Sequence, residues 1–278
     1  AAEPGLDLRR FPDFLIAGPP RTGSTWLFTN LYLHPDILLP KRKEVYFFNT
    51  LTLEKKRPAS CKSLPEYLDA FRDSAVERTL KLLRCLRHTG RLYRPYLHGD
   101  PTASNSTVEP SVIRDITLLN PQIKVIIVLR DPLERAWSHA KKDIVERHGQ
   151  RPEEVDVQEF DRFFRAAGQR QFNRYSVIID NWRRHLLRGH LLAIEFRAIR
   201  DCPAAVLESV VDFLGCRTRV VPFPPDKASQ PVNATANAAM PAPVQRKLAE
   251  RYADIVDEFG RTIGDLAPHR LGDGCYRI

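Results

Sequence analysis

The chain has 278 residues, 43% of them hydrophobic and 28% charged. These are globular proportions, which exclude a collagen-like, coiled-coil or wholly disordered chain, and a chain of this length buries enough surface to fold without disulfide staples. Lysine and arginine outnumber aspartate and glutamate by 43 to 34, a net charge of +9 that suits nucleic acid, an anionic membrane or a small polyanion.

In chain order, residues 11–17 are apolar except for Pro12 and Asp13 and run into Gly18-Pro19-Pro20, which predicts a buried strand ending in a turn. Residues 24–33 carry apolar side chains at helical spacing and close at His34-Pro35. A long amphipathic helix is expected over 64–86, broken at His88-Thr-Gly90, and a short helix over 110–119. Residues 124–129 form the clearest strand, β-branched and continuously apolar, as suits a parallel strand covered on both faces. Asp131-Pro132 opens another helix. Helical spacing returns over 160–167 and 175–187, a third strand is expected over 191–196, and a helix over 204–214 stops at Gly215. Residues 222–243 are rich in Pro, Ala and Asn and read as a long loop or lid, and 244–263 as one charged amphipathic helix. Strands alternating with helices predict an α/β single domain with a parallel sheet flanked by helices. No apolar run approaches the ~20 residues of a membrane span. The five cysteines, 61, 85, 202, 216 and 275, form no Cys-x-x-Cys pair and read as free thiols; no metal site is expected.

The sharpest motif is Gly18-Pro-Pro-Arg-Thr-Gly23-Ser24-Thr25, between a strand and a helix. Its spacing is that of a Walker loop, with Ser24 where the lysine belongs. Backbone N–H groups and a helix N-terminus still favour phosphate there, and Arg21 supplies a cation from within the loop. The bland alternative is a tight strand–helix turn with no ligand.

Pro20-Arg-Thr-Gly-Ser-Thr-Trp-Leu27 resembles the 5′-phosphosulfate loop of the sulfotransferases, P-[KR]-[ST]-G-[ST]-[ST]-W/x-L. The resemblance implies a phosphate-loop, nucleotide-kinase-like sulfotransferase fold over residues 1–278. It implies 3′-phosphoadenosine 5′-phosphosulfate (PAPS) as co-substrate, 3′-phosphoadenosine 5′-phosphate (PAP) as product, and Arg21, Thr22, Gly23, Ser24, Thr25 and Trp26 as its binding residues. Arg21 stands where most cytosolic members carry Lys; Arg keeps the charge and gains a planar fork.

A second motif, the strand 126–129 followed by Arg130-Asp-Pro-Leu-Glu-Arg135-Ala-Trp-Ser138-His139, resembles the family's 3′-phosphate site. The resemblance gives Arg130 and Ser138 to the 3′-phosphate, at the carboxyl ends of parallel strands where ligands bind. Otherwise Arg130 is a strand-end ion pair with Asp131 or Glu134 and Ser138 an ordinary helix residue. Arg135 reads as structural, paired with Glu134 or another carboxylate.

On the acceptor side, Lys41-Arg-Lys-Glu44-Val-Tyr-Phe-Phe48-Asn49 resembles the K-E-x-H-F-F-D segment of glycosaminoglycan-type sulfotransferases, with Tyr46 for the usual His and Asn49 for the usual Asp. The resemblance makes Glu44 the general base that takes the acceptor proton, with Arg21 as its catalytic partner at the transferring group. The alternative is a surface Lys–Glu cluster. His98 and Asp100 are rival bases or acceptor contacts, and Lys41, Lys43 and Tyr46 candidate acceptor residues.

The expected function is therefore O-sulfation of a small-molecule, carbohydrate or carrier-bound hydroxyl, without nucleic acid and without a metal. The expected compartment is the cytoplasm, or the Golgi lumen for a domain separated from its anchor. The alternative is a P-loop nucleotide kinase or NTPase with a degenerate Walker loop and Asp131 on magnesium.

Overall fold

The computed structural model describes residues 7–51, 61–218, 238–272 and 274–278. Its centre is β1 (Phe14–Ile16), paired in parallel with β3 (Leu97–Asp100) on one side and β4 (Lys124–Leu129) on the other. β2 (Ile37–Leu38) joins β3, and β5 (Leu191–Glu195) joins β4, both in parallel. The sheet order is β2-β3-β1-β4-β5-β7-β6; β7 (Cys275–Arg277) runs antiparallel to β5 and to β6 (Arg270–Gly272).

Alternation along the central strands explains their unbroken hydrophobicity. Leu15, Val125, Ile127 and Ala193 enter one core layer, while Phe14, Ile16, Ile126, Val128, Leu192 and Ile194 enter the other. Successive side chains of a strand point to opposite faces, so a strand covered by helices on both sides must be apolar throughout. A third cluster packs Ala136, Trp137 and Ala140 against Phe160, Phe164, Leu248 and Tyr252, and fixes the helix after β4.

The expected strands at 11–17, 124–129 and 191–196 are present, as are the helices α1 (Ser24–Leu31), α4 (Pro110–Leu119) and α5 (Pro132–Ala140). Two expected long helices are each split. Residues 64–86 divide into α2 (Leu64–Asp69) and α3 (Ala75–Thr89), because Ser74 starts a new helix with a reciprocal capping box to Glu77. Residues 244–263 divide into Ala242–Arg251 and Ala253–Leu266 at Tyr252, which is fully buried with its hydroxyl donating to the Phe164 carbonyl at 3.2 Å. Of the expected loop 222–243, residues 222–237 lie outside the described residues, and Ala242 is already helical. The sheet is mostly parallel, with β6 and β7 as an antiparallel edge that the sequence reading lacked. Among the described residues no helix is long and apolar enough to cross a membrane.

Candidate active site

The loop after β1 places the first group of candidates. Thr22 is fully buried, and its hydroxyl donates to the Pro19 carbonyl at 2.7 Å, so it staples the turn from within. Arg21 (φ 74°) and Gly23 (φ 107°) both take positive φ, which turns the chain sharply into α1. The N–H groups of Arg21, Thr22, Gly23, Ser24 and Thr25 find no backbone acceptor among the described residues. Unpartnered donors at the start of a helix, with the positive end of its dipole, form an anion cradle. Ser24 is buried and Thr25 half-buried at its rim, whereas the Trp26 indole packs into the core between sheet and helices and serves α1 as an anchor.

The second motif is bonded directly to the first. The Arg21 Nε donates to the Ser138 hydroxyl at 3.2 Å, and the Arg130 Nη1 donates to the Arg21 carbonyl at 3.0 Å. Arg130 lies over the Phe196 ring at 4.2 Å and its backbone N–H donates to the Tyr175 hydroxyl at 3.1 Å. It also makes the ion pair with Glu134 that the alternative reading expected, at 3.4 Å. Burial pushes both the Arg21 and the Arg130 guanidinium below their usual range, and for Arg21 the Arg130 charge is a further cause. An arginine still keeps its proton, so two partly desolvated cations meet at the end of β1 and β4.

Arg135 departs from expectation. Glu134 turns to Arg130, and Arg135, fully buried, bonds only neutral acceptors. Its Nε donates to Asn173 Oδ1 at 2.6 Å, Nη2 to Gln169 Oε1 at 2.8 Å and to the Gln169 carbonyl at 3.5 Å, and Nη1 to the Pro20 carbonyl at 3.3 Å. The fifth donor meets His139 Nδ1 at 3.3 Å. Because an arginine N–H can only donate, we assign His139 Nδ1, which also lies 3.1 Å from Gln169 Oε1, as its acceptor, with its Nε2–H toward Asp143 at 3.5 Å. Burial, then the Arg135 charge, push the imidazole down to about 4.

The third segment meets the chain just past the carboxyl end of β3, the strand parallel to β1. Glu44 and Tyr46 take φ of 69° and 55°; with Arg21 they are the three non-glycine residues of positive φ among the described residues. Such conformations cost about 1–2 kcal/mol and persist where surrounding bonds impose them. Here Ala103 N–H donates to Glu44 Oε2 at 3.1 Å, Val45 N–H to the Thr102 hydroxyl at 2.9 Å, and Asn49 to Ser104 at 2.9 Å. Lys43 forms an ion pair with the other Glu44 oxygen. Tyr46 is half-buried beside them.

Asp100 is not free to act. It is fully buried, and its carboxylate accepts from Thr102 N–H at 2.8 Å, the Thr102 hydroxyl at 2.5 Å, the Tyr67 hydroxyl at 2.9 Å and Asn105 at 3.1 Å. Burial raises its pKa, opposed by these bonds. Asp100 thus supports the turn that holds Glu44. His98 faces Asp13, with Nδ1 at 3.5 Å in poor hydrogen-bond geometry, and the Phe71 edge. Lys41 is 80% exposed and pairs with Glu77 at 3.1 Å on α3, away from the Glu44 cluster. Tyr67, Gln169 and Asn173 were not singled out in the sequence; they lie more than 30 residues from the groups they bond and carry no motif. Elsewhere, buried His34, Asp36 and Cys216 bring ligand-type atoms within 4.8 Å of one another. They are engaged in tying the chain: Asp36 N–H donates to His34 Nδ1 at 3.2 Å, His34 Nε2 to the Thr218 carbonyl at 3.0 Å, and Thr218 N–H to Asp36 at 2.7 Å.

A phosphate loop and an arginine clamp at the carboxyl ends of adjacent parallel strands define an α/β group-transfer enzyme of the P-loop type. Residues 12–219 match the profile of the Sulfotransferase family, and the chain belongs to that family. It is 29% identical over 240 residues to the human bifunctional heparan sulfate N-deacetylase/N-sulfotransferase 2, a match covering 78% of this chain and 24% of that protein. It is 27% identical over 236 residues to human heparan sulfate glucosamine 3-O-sulfotransferase 6, covering 78% of this chain and 58% of that protein. The chain therefore matches about a quarter to somewhat over half of these relatives' length. The crystal structure of a sulfotransferase from Alicyclobacillus acidocaldarius superposes with a TM-score of 0.64 at 19% identity, covering 91% of this chain and 96% of that one, and shares the fold. Membership of that family weighs against the nucleotide-kinase alternative. PAPS is the sulfuryl donor general to the family.

Proposed function

We propose that this protein moves the sulfuryl group of PAPS to a hydroxyl of a small-molecule, carbohydrate or carrier-bound acceptor. The observation that carries the reading is the pair of bonds in which Arg21 donates to Ser138 and accepts from Arg130, which joins two motifs more than 100 residues apart into one cationic corner. The donor set fits a nucleotide with anionic groups at both ends: unpartnered amides and Arg21 at one, Arg130 and Ser138 at the other. Arg binds phosphate as a fork, and a hydroxyl adds a directed donor.

In this reading Glu44 takes the proton of the acceptor hydroxyl as its oxygen attacks sulfur. The bond from sulfur to the bridging phosphate oxygen breaks, and that oxygen's electron pair leaves with PAP. Arg21, Ser24, Thr25 and the loop amides stabilise the charge growing on the leaving phosphate, the kind of fixed electrostatic contribution that dominates phosphoryl transfer. The left-handed backbone at Glu44, held by Ala103 and Val45, keeps the carboxylate in place before the acceptor arrives. Relatives named for N-sulfation and for 3-O-sulfation both match, and the choice of a hydroxyl rests on the sequence resemblance around Glu44.

The test is calorimetric titration with PAP, followed by an acceptor screen with labelled PAPS using paired hydroxyl and amine compounds. Wild type should bind PAP in a 1:1 complex, and Arg130→Ala should weaken it about 10- to 100-fold, the worth of one charge-assisted phosphate contact. Absence of PAP binding, or an Arg130→Ala variant that binds as well as wild type, refutes the reading. Transfer to amines alone replaces O-sulfation with N-sulfation.

A further inference from the structure

Arg135 is a fully buried, permanently protonated guanidinium whose five N–H groups are all engaged by neutral acceptors. Among the described residues no carboxylate lies within ion-pair distance of it. Its neighbour Glu134 is spent on Arg130, and His139 beside it is neutral. A buried charge ordinarily has a counter-ion, because removing it from water costs several kcal/mol. A saturated hydrogen-bond shell fixes the position of this cation and leaves its charge uncancelled. The guanidinium also donates to the carbonyl of Pro20, the residue before Arg21, so the charge sits immediately behind the phosphate loop.

We propose that Arg135 is a positioning residue whose counter-ion is the nucleotide itself: it holds the loop through Pro20 and supplies, from behind, positive potential that the bound phosphates cancel. The inference rests on the PAPS reading above. It differs from a purely structural role in sign. If Arg135 were only a staple, giving it a carboxylate would strengthen the staple and leave nucleotide affinity unchanged or improved. If its free charge matters, the same carboxylate must weaken the nucleotide.

Gln169→Glu makes this substitution almost isosterically, placing a carboxylate oxygen at the 2.8 Å contact with Nη2. Kd is measured by calorimetry or competition at pH 8, where His139 is neutral, for adenosine, adenosine 5′-phosphate and PAP. Melting temperature is recorded for each protein. The expected result is a variant that melts no lower than wild type, binds PAP about tenfold more weakly, adenosine 5′-phosphate less so, and adenosine equally, because a Coulomb coupling scales with ligand charge. Arg135→Met is the second variant. It removes the staple as well as the charge and should show the same ordering by ligand charge superimposed on a uniform loss. A Gln169→Glu protein that binds PAP as tightly as wild type or tighter overturns the inference, as does an equal loss for all three ligands. Wild type that binds no PAP overturns the PAPS reading and this inference with it.

Discussion

Gly23→Ala is the most direct test of how the loop is built. At φ 107° an L-residue is strained, and a Cβ there would sit 3.1 Å from Phe196 Cδ2 and 3.2 Å from Ile199 Cδ1. The left-handed backbone costs about 1–2 kcal/mol, the crowding about 1 kcal/mol or more, and the lost freedom of glycine in the unfolded chain returns about 0.5–1 kcal/mol. A net loss of about 2 kcal/mol lowers the melting temperature of a chain this size by about 3–4 °C. The functional effect has a separate route, since the Phe196 ring that must give way is the one beneath the Arg130 guanidinium at 4.2 Å. Displacing it moves Arg130, the phosphate contact of the proposed function, and misplacement on the ångström scale is worth about 100-fold. Thermal melting by circular dichroism and PAP titration by calorimetry measure both. A variant within about 1 °C and about twofold of wild type would show that neither the conformation nor the contact constrains the loop.

Further outcomes follow from the same geometry. Glu44→Gln retains an oxygen for the Ala103 N–H and removes the proposed base; PAP affinity should stay within about threefold while transfer, once an acceptor is found, falls about 10²–10⁴-fold. An equal fall in both would place Glu44 on the nucleotide instead. Asp100→Asn turns an amide toward donors that now face a carboxylate, and should cost about 2–4 kcal/mol in urea unfolding; a neutral result would deny it the supporting role. Lys41→Ala, at an exposed pair, should change stability by less than about 0.5 kcal/mol and leave PAP affinity unaltered. His139 has a folded pKa of about 4, below its ordinary value, so the unfolded chain binds the extra proton first. Stability should be full above about pH 6.5 and fall toward pH 4, and His139→Gln should flatten that slope in unfolding measured against pH.

The phosphate loop and the Arg130 motif were legible because each joins a local strand–turn–helix signal to a compact residue pattern. The same locality made β4, α4 and the Asp131 helix start readable to the residue. β2 and β3 were not: one has two residues, and the other, Leu97–Asp100, carries a histidine, a glycine and an aspartate where a strand pattern wants apolar residues. Gly99 is required there by packing, since a Cβ would lie 2.2 Å from the Phe14 ring. The split at Tyr252 was equally invisible, because both halves keep helical spacing and only the burial of the tyrosine against Phe164 breaks the axis.

By itself the sequence determined the family: the residue types and spacing of the loop and of the Arg130 segment carry the resemblance that the family match bears out. Tertiary structure decided which charges remain available. It spent Glu134 on Arg130, moved Lys41 out to Glu77, saturated Asp100 with four donors, and left Arg135 buried without a carboxylate among the described residues. Chain order cannot foresee these choices, because a charge is paired or unpaired by neighbours that folding brings from tens of residues away, and burial then sets what each charge is worth.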